Sequence, residues 1–110
     1  MRKGVKDMAR RNEEVAAVLE DIGWLLALKR DNPFRVRAYY EAGRRIAAMR
    51  EDIDDLRRQG RLEDIPGVGK VIARLVNEYL SSGRLDYYDD LQEHLARLPV
   101  GVPRHKPRAA

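Results

Sequence analysis

In Ile65-Pro66-Gly67-Val68-Gly69-Lys70 two glycines at spacing two follow a proline, and a lysine follows them at once. Glycine has no Cβ, so it takes positive φ freely and lets another backbone come close. A helix that follows such a turn exposes the unpaired N–H groups of its first turn. Those amides, the positive end of the helix dipole and the Lys70 ammonium together make a site for a phosphate. A plain tight turn between two packed helices uses the same residue types, and a short glycine motif leaves both possibilities open. Other chemistries have little to build on. The chain has no cysteine, which removes disulfides and thiolate metal sites. His94 and His105 are the only histidines and lie far apart, so a zinc site or a Ser-His-Asp triad has little to build on. The acid pairs Asp54-Asp55 and Asp89-Asp90 would point about 100° apart on a helix, which suits solvated faces better than a metal clamp.

The elements that must position the hairpin are helical. At 110 residues, with 44% hydrophobic and 36% charged residues, the chain is expected to form one small helical domain with a heavily charged surface. No apolar run approaches the roughly 20 residues that span a bilayer, and the N-terminus lacks the apolar stretch of a secretory signal. A cytoplasmic protein with no membrane partner is expected. The net charge of +4 is unevenly spread. Residues 1–11 hold five Lys/Arg and one acid, and residues 97–110 hold four Lys/Arg and none. The two ends therefore carry +8 and the body −4. Basic ends attract polyanions without specificity, and they also serve solubility alone.

Residues 1–11 lack apolar periodicity and read as a basic disordered tail. Asn12 can cap a first helix, with Glu13 and Glu14 in its first turn. Val15, Val18, Leu19, Ile22, Leu25 and Leu26 recur at three and four, the spacing of one buried face, and Trp24 and Leu28 widen it. Lys29-Arg30-Asp31 ends that helix. Asn32-Pro33 starts a second one, to about Met49, with Phe34, Ala38, Ala42, Ile46 and Met49 as its core stripe. Glu51 to Gln59 reads as a short third helix stopped by Gly60. After a turn at Arg61–Asp64 and the hairpin, Val71, Ile72, Leu75, Val76, Tyr79 and Leu80 define a helix that Gly83 ends as a left-handed cap. Leu85, Tyr88, Leu91, Leu95 and Leu98 mark a last helix, and the prolines beyond it break regular structure. The expected architecture is all-α: a compact bundle of four to five short helices over residues 12–98, with a basic Pro-containing tail at 99–110.

Two segments in this frame resemble one family. Asn32-Pro33-Phe34-Arg35-Val36-Arg37-Ala38-Tyr39 resembles the start of the second helix in the N-terminal domain of family X DNA polymerases, bacterial ones above all. Leu62-Glu63-Asp64-Ile65-Pro66-Gly67-Val68-Gly69-Lys70-Val71-Ile72-Ala73 resembles the helix-hairpin-helix of the same domain, and Ser82-Gly83-Arg84-Leu85 fits its continuation. Two motifs in the right order are more specific than either alone, and the match runs from about Asn12 to Leu98.

The resemblance implies the SAM-like fold of the polymerase beta N-terminal domain, and a partner: DNA, held by its backbone in repair or replication. By position the DNA-binding set is Gly67, Val68, Gly69, Lys70, Val71 and Arg74, with the amides of Gly69, Lys70 and Val71 donating to phosphate oxygens. Such contacts position a protein without reading sequence. The resemblance further implies a Na+ or K+ ion held by the backbone carbonyls of Glu63, Ile65 and Val68 when DNA is bound, and no required cofactor. It places a 5′-phosphate pocket at Arg35 and Tyr39, with a guanidinium for bidentate contact. Phe34 stands where some relatives have histidine, and Glu63 and Val71 stand where lyase-competent relatives have lysines. The lyase nucleophile is a lysine amine that forms a Schiff base, and Leu75 occupies its position. The polymerase domains of the family follow this one, and the chain stops at Ala110. A non-catalytic, monomeric DNA-binding module that favours gapped or nicked DNA is therefore expected. The alternative is a protein-interaction module on the same bundle, using the acidic body and Trp24, Tyr40, Tyr87 and Tyr88. For the pocket by itself the alternative has Arg35 as a solvated surface charge and Tyr39 as a partly buried packing residue.

Overall fold

The computed structural model describes residues 5–97, with side chains from residue 11 onward. Among these residues there are five α-helices and no strand. They are α1 (Val5–Leu28), α2 (Pro33–Ala48), α3 (Ile53–Arg58), α4 (Lys70–Ser82) and α5 (Asp86–Ala96), with a 3-10 turn at Leu62–Asp64 before the hairpin. The expected tail at 99–110, and Leu98 of the last stripe, lie outside the described residues.

Long apolar faces at helical spacing meet in one core. Leu19, Ile22, Leu25 and Leu26 of α1 are fully buried, and so are Ala42 and Ile46 of α2 and Ile53 at the start of α3. Val76 and Leu80 of α4 and Leu91 and Leu95 of α5 close the other side. Helices α1 and α2 run antiparallel in close contact. A Cβ on Gly43 would lie 3.0 Å from the Ala16 carbonyl oxygen, and one on Gly23 would lie 3.2 Å from that of Val36. Alanine at either position would need its neighbours on the facing helix to give by a few tenths of an ångström.

The helix ends follow local chemistry. The Asn32 side chain accepts from the Phe34 N–H at 2.8 Å with Pro33 in the first turn, as the sequence predicts for α2. Gly83 caps α4 at φ 76°, its N–H donating to the Tyr79 carbonyl at 2.8 Å. At the end of α1 a non-glycine takes the left-handed position. Arg30 has φ 62°, and the Asp31 N–H reaches back to the Leu26 carbonyl at 2.9 Å, a Schellman closure.

Four expectations need correction. First, α1 begins at Val5, so residues 5–11 are helical. Lys, Met, Ala and Arg are good helix formers even without an apolar stripe. Second, Asn12 lies within that helix and is no cap. It is 3% exposed, and its side chain serves the link between α2 and α3. Its Oδ1 accepts from the Ile53 N–H at 2.9 Å, and its Nδ2 donates to the Glu51 carbonyl at 2.8 Å. Third, Phe34 is 78% exposed, and Tyr39 takes a place in the core of α2 instead. The first turn of α2 stands beside the end of α1, where Leu28 is also exposed and no helix covers it. Fourth, Val71 is exposed in the first turn of α4, and α3 is shorter than its stripe implied, starting after an Asp52 cap.

The acid pairs serve the surface. Asp54 pairs with Arg57 at 2.8 Å and Arg58 at 2.9 Å, Asp55 pairs with Arg58, and Asp89 faces Arg84 at 3.5 Å. Exposed pairs of this kind contribute little each. The buried Asn12 contributes far more, because removing it strands the Ile53 amide and the Glu51 carbonyl. Asn12→Ala should lower unfolding free energy by about 2–3 kcal/mol, measured by denaturant titration. A loss below about 0.5 kcal/mol would show that water satisfies those groups.

Candidate nucleic-acid interface

Ile65, Pro66, Gly67 and Val68 form a tight turn. The Val68 N–H donates to the Ile65 carbonyl at 3.0 Å. Pro66 stands at the second position and Gly67, at φ 86°, at the third, the pattern of a type II turn. A side chain at 67 would be strained there. The Ile65 and Val68 side chains are each 4% exposed. They plug the hairpin into the core from both ends, and Gly67 and Gly69 are left outward.

Helix α4 starts directly after the turn. Its first intrahelical bond runs from the Ala73 N–H to the Gly69 carbonyl at 2.9 Å, and no side chain caps it. The amides of Gly69, Lys70, Val71 and Ile72 therefore have no partner within the helix. Gly69 has an ordinary φ of −89°, and a Cβ added there would meet nothing within 4 Å. The fold itself has no need of glycine at this position. What glycine provides at 69 is open backbone toward the outside.

Beside these amides is a cleft of about 690 Å³ between α2 and α4. Arg35 and Tyr39 line it from α2, and Gly67, Gly69, Lys70, Val71 and Arg74 from the hairpin and α4. Residues read separately in sequence, some thirty positions apart, thus share one concavity. Ala38, Ile72 and Leu75 supply apolar wall, and Glu78 and Tyr87 close one side. Burial, and next the neighbouring Tyr87, push the Tyr39 hydroxyl up to about 12, against the pull of Arg35 and Arg74. Tyr39 thus stays a neutral phenol that can donate a hydrogen bond. The Arg35 side chain is 58% exposed and meets Asp31 at 3.7 Å, a long surface contact that yields readily to a better anion.

Ile65 and Val68 sit in the turn and Glu63 in the 3-10 segment before it, and none of the three lines the cleft. The Ile65 carbonyl accepts the Val68 amide, whereas the Glu63 and Val68 carbonyls accept no hydrogen bond from another described residue. Backbone carbonyls are the donor class that holds Na+ or K+.

The structure adds a residue that the sequence did not single out. Arg45 of α2 lies over the hairpin, its Cδ and Nε 3.7 and 3.8 Å from where a Gly67 Cβ would be. Its signal was its place after Ala38 and Ala42 at helical spacing, obscured by the many other arginines of α2. Of the four aromatics of the protein-interaction alternative, three face the core and Tyr40 lines a separate groove beside α1 and α2. Trp24, Tyr87 and Tyr88 pack half-buried against the core, and the Tyr88 hydroxyl donates to Asp21 at 2.8 Å.

An all-α bundle with one glycine hairpin, free helix amides and an adjoining cationic cleft defines a helix-hairpin-helix domain. The chain belongs to the helix-hairpin-helix domain family, whose pattern it matches over residues 10–85. It is similar to the DNA polymerase/3'-5' exonuclease PolX of Bacillus subtilis (strain 168), 29% identical over 83 residues. That alignment covers 76% of this chain and 14% of the relative, so the chain spans a small part of that protein's length. Family membership implies DNA binding in general. No helix among the described residues is long and apolar enough to cross a membrane.

Two substitutions separate grip from fold. Gly69→Val should leave unfolding free energy within about 1 kcal/mol of the parent. It should lower affinity for duplex DNA at least about tenfold, the worth of one lost bond to a charged phosphate. Equal DNA affinity would show that the hairpin backbone stays clear of the ligand. Arg45→Ala should reduce the slope of log affinity against log salt by about one, as expected for one lost phosphate contact. An unchanged slope would leave Arg45 a packing residue.

Proposed function

We propose that this chain is a non-catalytic module that grips DNA backbone phosphates without reading sequence, and favours gapped or nicked DNA that carries a 5′-phosphate. The observation that carries this reading is the shared cleft, in which Arg35 and Tyr39 face the same space as Lys70, Arg74 and the first amides of α4. A guanidinium, a neutral phenol and an ammonium are the donors that a terminal phosphate monoester takes. The hairpin amides are suited to internal phosphates of the same strand, and phosphate contacts position without specifying sequence. A Na+ or K+ ion on the carbonyls of Glu63, Ile65 and Val68 would bridge the turn to one of those phosphates. The work would be in DNA repair or replication, as a monomer on cytoplasmic, nucleoid DNA.

Lyase chemistry is not part of the proposal. It needs a lysine amine that can be unprotonated and reach the sugar aldehyde. Leu75 stands on the cleft wall, 8% exposed, at the position the resemblance assigns to that lysine. Lys70 is at the tip of α4, more than a turn away.

The test is a titration of gapped DNA with and without the 5′-phosphate. The parent should bind the phosphorylated gap about tenfold or more tightly, the worth of one charge-assisted contact. Arg35→Ala should lose most of that preference and keep its affinity for unphosphorylated DNA. Equal binding of both gaps by the parent would sink the 5′-phosphate part of the proposal, and loss of binding at low salt would sink the whole.

A further inference from the structure

Glu78 has no place in a phosphate grip, yet it lines the same cleft. It lies one turn beyond Arg74 on α4 and is half-buried. Its Oε2 accepts the Asp86 N–H at 3.3 Å, so the start of α5 holds the carboxylate in position. A carboxylate there weakens binding of every anion, and most that of the anion bringing the most negative charge beside it.

The charges decide what it could choose. The cleft is lined by three cations, Arg35, Lys70 and Arg74, and by this one carboxylate, which leaves +2. Asp31, the ion-pair partner of Arg35, is not part of the lining. A terminal phosphate monoester carries about −1.5 to −2 at neutral pH. Cleft and monoester therefore match. A triphosphate end brings further phosphoryl groups and more negative charge into the same space, on a wall where Glu78 repels it. Repulsion inside a cleft with apolar walls is less screened than on an open surface.

Resting on the 5′-phosphate reading above, we infer that Glu78 is a specificity-determining residue that lets the cleft accept a 5′-monophosphate end and reject a 5′-triphosphate end. The strands it takes would then be products of phosphodiester hydrolysis that leaves the phosphate on the 5′ side. Strands that still carry the triphosphate of their first nucleotide would be excluded until that end is hydrolysed.

The experiment uses the full chain and three gapped DNAs that differ only in the 5′ end: hydroxyl, monophosphate or triphosphate. The parent should prefer monophosphate over triphosphate by about tenfold, a like-charge effect at a modest effective dielectric. Glu78→Gln keeps an oxygen for the Asp86 amide and removes the charge. It should bind the triphosphate end more tightly and erase most of the preference, with monophosphate affinity changed less. Glu78→Asp, which keeps the charge, should retain the preference. A parent that prefers monophosphate to hydroxyl but binds triphosphate equally well would overturn the role of Glu78 alone. So would a Glu78→Gln variant with the parent's ratio. A parent that binds all three ends alike would overturn the 5′-phosphate reading, and this inference with it.

Discussion

The close approach of α1 and α2 is the constraint on which the remaining structure depends. Gly43 sits against the Ala16 carbonyl and Gly23 against that of Val36, and a Cβ at either contact would be tight. Two glycines twenty residues apart, one on each helix, let the backbones touch along an antiparallel pair. That contact fixes the rotation of α2 about its own axis. One face, with Ala42 and Ile46, is committed to the core. The next face then presents Arg35, Ala38 and Tyr39 toward α4, and Arg45 reaches over the hairpin. Close-packed helices do not rotate by small amounts, because their side chains interdigitate at high density.

A second set of ties holds α4 to this pair. Ile65 and Val68 anchor the turn in the core from both sides, so the direction of α4 is set by buried side chains while the glycines stay free of any internal duty. Arg11 of α1 donates to the Leu80 carbonyl at 3.4 Å, meeting a free acceptor near the C-terminal end of α4. Asn12 beside it clamps the link between α2 and α3. Two consecutive residues of α1 thereby secure both elements that flank the hairpin. The result is a cleft with a cationic rim, on a body that is acidic overall. Local concentration of charge in a concavity, rather than the net charge of the body, determines what anion it attracts at short range.

Much of this was legible in the residues. Apolar spacing located the faces of α1, α2, α4 and α5, because a 3.6-residue period leaves few other solutions. Asn32-Pro33 and Gly83 marked helix ends whose local geometry needs those residue types. Pro66, Gly67 and Gly69 marked the turn. The misplaced residues share one cause. Asn12 has the chemistry of a cap and is instead used across 41 residues of sequence, on the Ile53 amide. Phe34 has the chemistry of a core residue and lies on a face of α2 that stays exposed. Residue type states what a side chain can satisfy, and only its neighbours state what it does.

The helices, their order, the hairpin and the family to which the chain belongs are readable in the residues alone. Those follow from local propensity, periodicity and a contiguous motif, all of which act over a few residues. The tertiary structure decided which residues share a space. Arg35 and Tyr39 meet Lys70 and Arg74, Glu78 joins them as the one acid of the cleft, and Arg45 leans on Gly67. These juxtapositions depend on how far two backbones can approach and on how each helix is rotated. Both are settled by glycine contacts and buried side chains far apart in the chain, which no local pattern encodes.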